Sequence, residues 1–274
     1  MSLVFALGSI FVIYFRIRPE RIALLSYLTG YLLILVLSNL ALVMITTGWI
    51  AQFPHFYKLM MPFSLLSPVI SYWYVKGSLG YNYSWRIIDY AHLLPFVAVA
   101  LHYMPFYFLS AEEKRPLVDA VIAEDAALIN YSYGIIFTES QVYLLRTFQA
   151  IVYQTLSHLL LAKFIKANPF ALLSSRSKTV FRWVRFFVWA ITAYLVSLIL
   201  CYALNSMRFQ GIALNELLEQ AVFLLTAGFV FVLSSHLLMH PRVLLTLDHT
   251  IEHQAEDYLY VDLEAVKSTV VKQG

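Results

Sequence analysis

One arginine stands inside an otherwise apolar run. Val142–Ile165 reads as a membrane-crossing helix, and Arg146 falls about one turn inside it. A guanidinium at that depth costs about 2.5 kcal/mol or more unless it is paired or hydrated. At about 100° per residue, Arg146, Gln149, Tyr153 and Ser157 share one helix face, and that face must turn inward. Glu219 lies near the start of the run Leu217–Leu238, at matching depth, and is the expected counter-charge. Two chemistries fit. One is a polar pocket that opens outward and binds a small ligand through Arg146, Gln149, Tyr153 and Glu219. The other is a buried ion pair that fixes the register of two helices. Catalytic chemistry has no visible carrier. The 8 histidines form no HExxH pair, the single Cys201 rules out a CxxC motif and an intrachain disulfide, and neither a P-loop nor GxGxxG is present. No enzyme activity, cofactor or metal site is expected. The last span has no lysine, which disfavours a retinal Schiff base.

The elements that hold these residues follow from composition. Of 274 residues, 61% are hydrophobic and only 13% charged, with mean hydropathy +0.72. A soluble chain of this length needs more polar surface. The net charge of +3 is too small to imply a polyanionic partner. The expected solvent is the lipid bilayer. Seven apolar segments can be marked: Leu3–Phe15, Ile22–Ile45, Phe56–Val75, Ile87–Leu109, Val142–Ile165, Val184–Leu204 and Leu217–Leu238. They are too long and too continuous for barrel strands, and a helix satisfies its own backbone in lipid. The expected fold is an all-α bundle of seven transmembrane helices over residues 1–241, with a cytoplasmic helical tail over 242–274. Asn39, alone in the second span, is expected to hydrogen-bond a neighbouring helix. Pro62 and Pro68 in the third span, and Pro95 and Pro105 in the fourth, are expected to bend their helices or open the hydrogen-bond ladder.

Charge sets direction. Of the 19 Lys and Arg residues, 14 fall on alternate connections that include Arg16–Arg21, Lys163–Arg185 and the tail, 4 fall on the others, and Arg146 completes the total. The basic side is cytoplasmic. The amino terminus is then outside and the carboxyl terminus inside. The long loop Ser110–Ser140 is extracytoplasmic and acidic on this reading. Leu117–Leu128 within it fits a short helix, and Ile129–Phe137 a hairpin or a cap over the bundle. Beyond Pro241, Leu244, Leu247, Ile251, Tyr258, Val261 and Ala265 follow a broken heptad, compatible with pairing to a second copy.

Two stretches carry a family resemblance. Leu65–Lys76 (LLSPVISYWYVK) resembles a GP-x-x-Y-x-Y-V-K signature, although Ser67 stands where glycine is preferred. Asp89–Arg115 (DYAHLLPFVAVALHYMPFYFLSAEEKR) resembles the fourth span and following loop of the same group, and His240-Pro241 its exit from the last span. Together they resemble the seven-span amino-terminal sensor region of membrane-bound AraC-type transcriptional regulators of the Bacteroidetes type. The resemblance covers about the first 245 residues. It implies a multi-pass protein of the bacterial inner membrane that perceives an extracytoplasmic ligand and signals through its tail to transcription. In that family DNA is bound by helix-turn-helix units after the last span, and the chain to Gly274 holds no such domain, so DNA binding is not expected of these residues. A non-catalytic structural subunit of a membrane complex and, more distantly, a transporter are the other classes the sequence leaves open.

Overall fold

The structure, a computed structural model, describes residues 2–16, 22–80, 87–123, 134–167, 175–206 and 212–239. Within these ranges the side chains of 2–3, 15–16, 22–23, 88, 175–177, 202, 204–206 and 212–220 are not described. Among the described residues the protein is all-helical. The helices are α1 (Ser2–Arg16), α2 (Ile22–Thr46), α3 (Met60–Ser78), α4 (Leu94–Phe108), α5 (Ala111–Ile122), α6 (Glu139–Ala167), α7 (Ser175–Ser206) and α8 (Ile212–Met239). Four apolar stretches, Leu24–Thr46, Asp89–Phe108, Lys178–Cys201 and Ala221–Met239, are long and apolar enough to cross a membrane. The first helix carries a shorter apolar stretch, Val4–Tyr14.

Many large apolar side chains face outward. Leu7 and Phe11 on α1, Leu144 and Phe148 on α6, and Trp189, Val196 and Leu200 on α7 are exposed. A soluble monomer rarely shows so much contiguous apolar surface. In lipid, greasy side chains do not drive helices together, so packing and interhelical hydrogen bonds must. Several such bonds are present. Ser9 Oγ donates to the Ser234 carbonyl at 3.1 Å, tying α1 to α8. Trp183 Nε1 donates to the Tyr74 hydroxyl at 2.7 Å, tying α7 to α3. Gln154 Nε2 donates to the Val188 carbonyl at 2.6 Å and to Thr192 Oγ1 at 2.7 Å, tying α6 to α7. The helices pack as neighbours in the order α4, α3, α2, α1, α8, α7, α6, with α6 returning to α3.

The interior is divided. One core joins α1, α2, α7 and α8 with the far ends of α3 and α6, around Leu28, Leu32, Tyr74, Trp183, Phe187 and Leu233. A second lies at the other end, around Ile50, Tyr57, Leu65, Tyr103, Phe106 and Val118. That end also carries the 47–59 connection and α5. There Gly48, at φ 74, ends α2, and two short 3-10 turns, Trp49–Ala51 and Pro54–Phe56, follow. Lys58 adopts φ 62, an uncommon conformation for a residue with a Cβ. For that reason α3 begins at Met60 rather than at Phe56, where the apolar run begins.

Two expectations need correction. The helix in the long loop is Ala111–Ile122, earlier than Leu117–Leu128, because Ser110 and Glu113 form a capping box: Glu113 N–H donates to Ser110 Oγ at 3.3 Å and Ser110 N–H to Glu113 Oε2 at 2.8 Å. The two donors from Ser110, backbone and hydroxyl, hold the Glu113 carboxyl below its ordinary range. Pro62 and Pro95 lie in the first turns of α3 and α4, where a missing N–H interrupts nothing, and only Pro68 and Pro105 stand inside the ladder. Residues 124–133, which include most of the expected hairpin or cap, lie outside the described residues, as does the tail from His240 with its heptad pattern and its pairing.

Candidate functional site

Between the two cores lies a cavity of about 460 Å³, walled by α2, α3, α6, α7 and α8 and bounded at the loop end by Ile50, Tyr57, Lys58 and Val121. Most of its wall is aliphatic or aromatic. Two cations reach it, Lys58 and Arg146, and none of its described lining residues is a carboxylate. Tyr143 links them: the Arg146 guanidinium carbon lies 5.1 Å from the Tyr143 ring centre and Lys58 Nζ 5.9 Å from it.

Lys58 is held firmly. Its Nζ lies 2.7 Å from Glu139 Oε2, with both side chains largely buried. Tyr103 OH donates to both oxygens of that carboxylate, at 3.1 and 2.9 Å. Tyr107 OH donates to the Lys58 carbonyl at 3.2 Å. A left-handed residue costs about 1 kcal/mol or more in backbone strain, and these contacts offset it by fixing Lys58 from both ends. Glu139 is the first residue of α6, so the same ion pair anchors the helix that carries Arg146.

A second polar cluster lies behind this one. Lys114 on α5 is fully buried; its Nζ donates to His55 Nδ1 at 2.8 Å and to the Tyr107 carbonyl at 3.0 Å, and sits 5.1 Å from the Phe106 ring centre. Burial pushes its ammonium below the ordinary lysine range. His102 on α4 latches the 134–138 segment. Its Nδ1 accepts from the backbone N–H groups of Ile136 and Phe137, each at 3.1 Å, and its carbonyl accepts from Ile135 N–H at 3.3 Å. Gly134 lies flat against the imidazole, where a Cβ would stand 2.0 Å from Cε1. Ile136 and Phe137 are thus fastened over the end of the bundle.

The four residues expected at the pocket separate. Arg146 lines the cavity. Gln149 does not; it is buried, and its amide nitrogen and oxygen have no hydrogen-bond partner among the described residues. Tyr153 packs with Val69 and Trp73 and its hydroxyl bonds His92 Nδ1, away from the cavity. The side chain of Glu219 lies outside the described residues, and with it the expected ion pair. From α6 the cavity receives Tyr143, Arg146, Thr147, Ala150 and Gln154 instead. From Arg146, residue 149 lies about 60° one way around the helix and residue 150 about 40° the other. The expected face does turn inward, with Gln149, Tyr153 and Ser157 buried, but the cavity lies beside it, on the side of Thr147, Ala150 and Gln154, whose amide bonds α7. Pro68 lines the cavity from α3, Pro95 does not, and Asn39 is buried in α2 with its Nδ2 lacking a partner among the described residues. Sequence reasoning missed Lys58, Tyr143 and the Glu139–Tyr103 anchor. One signal was legible: Lys58 is the lone cation of its connection, directly after Phe56 and Tyr57.

Among the described residues no group of three or more His, Cys, Asp or Glu side chains is placed to hold a metal ion. Comparison with known proteins gave no match to a family model, a curated protein or a solved structure. The similarity to AraC-type sensor regions therefore rests on the residues quoted for it.

Proposed function

We propose that this chain is the membrane-embedded sensing module of a signalling system. On this reading seven helices, α1 to α4 and α6 to α8, cross a bacterial inner membrane with the amino terminus outside. A small extracytoplasmic molecule occupies the cavity. The segment beyond Met239 passes the signal to a transcriptional output, and any DNA contact belongs to another domain or partner.

The observation that carries this reading is the cavity of about 460 Å³, within the 300–1,000 Å³ range of small-molecule sites. Its wall takes residues from α6, α7 and α8, the helices that lead to the carboxyl end. A ligand that contacts three helices at once has a handle on their relative positions. It shifts the bundle only by binding one arrangement more tightly than another. Support for direction comes from the bias of basic residues, and on that reading the cavity belongs to the outer half.

The test uses two variants at the chromosomal locus. Arg146→Ala removes one of the two cations, and Ala150→Phe fills the cavity from a buried lining position. Both should reproduce the transcript changes of a deletion while the protein accumulates in the membrane at the wild-type level. Wild-type transcripts in both variants would contradict the reading. A stoichiometric partner that co-purifies equally with wild type and variants, alongside unchanged transcripts, would favour a structural subunit instead.

A further inference from the structure

We propose that the segment over the end of the bundle is a proton-operated latch: it closes on neutral His102 and opens when the imidazole takes up a proton at Nδ1. A neutral imidazole has a single acceptor nitrogen, and an imidazolium has none. His102 Nδ1 offers its one lone pair to two donors at once, the backbone N–H groups of Ile136 and Phe137, each at 3.1 Å. A proton there would turn the acceptor into a third N–H facing two others and leave both backbone groups unpaired. Turning the ring over gives no relief, since Cδ2, which accepts nothing, would then stand in the place of Nδ1. The closed latch therefore excludes the proton and the open one accepts it. Opening takes up one proton and is favoured as pH falls.

The surroundings suit such a latch. Ile135 and Ile136 are exposed, so the segment has an open side to lift toward. Between Gly134 and Thr138 it carries no titratable side chain. Among the described residues, the groups that act on the imidazole are Glu139 at the start of α6 and Lys58 in the 47–59 connection, with Tyr103 beside it on α4, ring centres 4.5 Å apart. Glu139 and Lys58 form an ion pair at 2.7 Å, so they bear on His102 as two opposite charges side by side. A partner at Nε2 moves the pH at which the latch opens and leaves the direction unchanged, because release depends on Nδ1 alone. The latch ends two residues before Glu139, whose carboxylate holds the cavity-lining Lys58, so the proton acts next to the loop end of the cavity. This goes beyond the sensing reading and is independent of which membrane face the latch occupies.

The full chain in phosphatidylcholine nanodiscs, open to buffer on both faces, is followed by hydrogen exchange and mass spectrometry at pH 7.5 and pH 5.0, with rates corrected for the intrinsic effect of pH. A released histidine titrates near about pH 6.5, and each pH unit below that favours the open form about tenfold. The amides of Ile135, Ile136 and Phe137 should therefore lose about tenfold or more in protection at pH 5.0, while peptides from α7 keep theirs. His102→Asn keeps a side-chain acceptor close to the place of Nδ1 and takes up no proton, so its protection of these amides should be the same at both pH values. Unchanged wild-type protection, a loss shared by α7, or a loss in His102→Asn as large as in wild type overturns the proposal, and the last would move the response to Glu139. If His102→Asn fails to accumulate, or fails to protect these amides at pH 7.5, the wild-type comparison decides alone. The transcript experiment judges the sensing reading separately.

Discussion

Gly134→Ala tests the latch over the bundle end. A Cβ at this position would stand 2.0 Å from Cε1, 2.2 Å from Nε2 and 2.3 Å from Nδ1 of His102. No real Cβ tolerates such contacts, and the imidazole is wholly buried, so it has little room to retreat. The segment must lift instead. Lifting breaks two bonds to Nδ1 at 3.1 Å and the longer one at 3.3 Å from Ile135 N–H to the His102 carbonyl. At about 1 kcal/mol net for each good bond, with the longer one counted as less, the latch contributes about 2–3 kcal/mol. At 1.4 kcal/mol per tenfold, the protection of these amides against hydrogen exchange should fall about thirty- to hundredfold. Exchange measured by mass spectrometry on the nanodisc-embedded chain reads this directly. Peptides from α8 serve as an internal control and should stay unchanged. If Ile136 and Phe137 keep wild-type protection in Gly134→Ala, the latch as described here is wrong.

Glu139→Gln should be strongly destabilising, by about 3–5 kcal/mol, because it leaves the Lys58 ammonium largely buried without its counter-charge. Adding Lys58→Met should restore part of the loss, and strictly additive single and double variants in a thermal denaturation cycle would argue against the pair. Burial holds Lys114 below its ordinary range, and this fixes a pH slope. Between its folded value and the ordinary lysine value the unfolded chain binds more protons, so stability should rise with pH through that window. Unfolding transitions followed from neutral to alkaline pH should show the rise, and Lys114→Met should flatten it; an identical slope in the variant would count against the assignment.

Hydropathy made the helices legible and left the position of the cavity hidden. Each apolar run became a helix, because continuous greasy sequence has no other way to satisfy its backbone in lipid. Ends were less legible. The helix α7 begins at Ser175, well before the apolar run at Val184, since positions such as Lys178 and Arg182 sit on an exposed face that hydropathy does not count. At the site the sequence pointed to Arg146 by its cost in lipid, but matched depth cannot say which neighbours share its cavity. The cavity lies beside the buried face of α6, where Gln154 reaches Val188 and Thr192. Lys58, Tyr103 and Glu139 come from three separate elements, and no spacing rule joins residues so far apart in the chain.

Single-cysteine labelling tests the membrane arrangement most directly. In a Cys201→Ser background, Glu112→Cys on α5 and Lys166→Cys at the end of α6 place exposed thiols at opposite ends of the bundle. An impermeant maleimide applied to intact spheroplasts should modify Glu112→Cys at once and Lys166→Cys only after the membrane is opened. Modification of both before opening, or the reverse order, would contradict a cavity that faces outward.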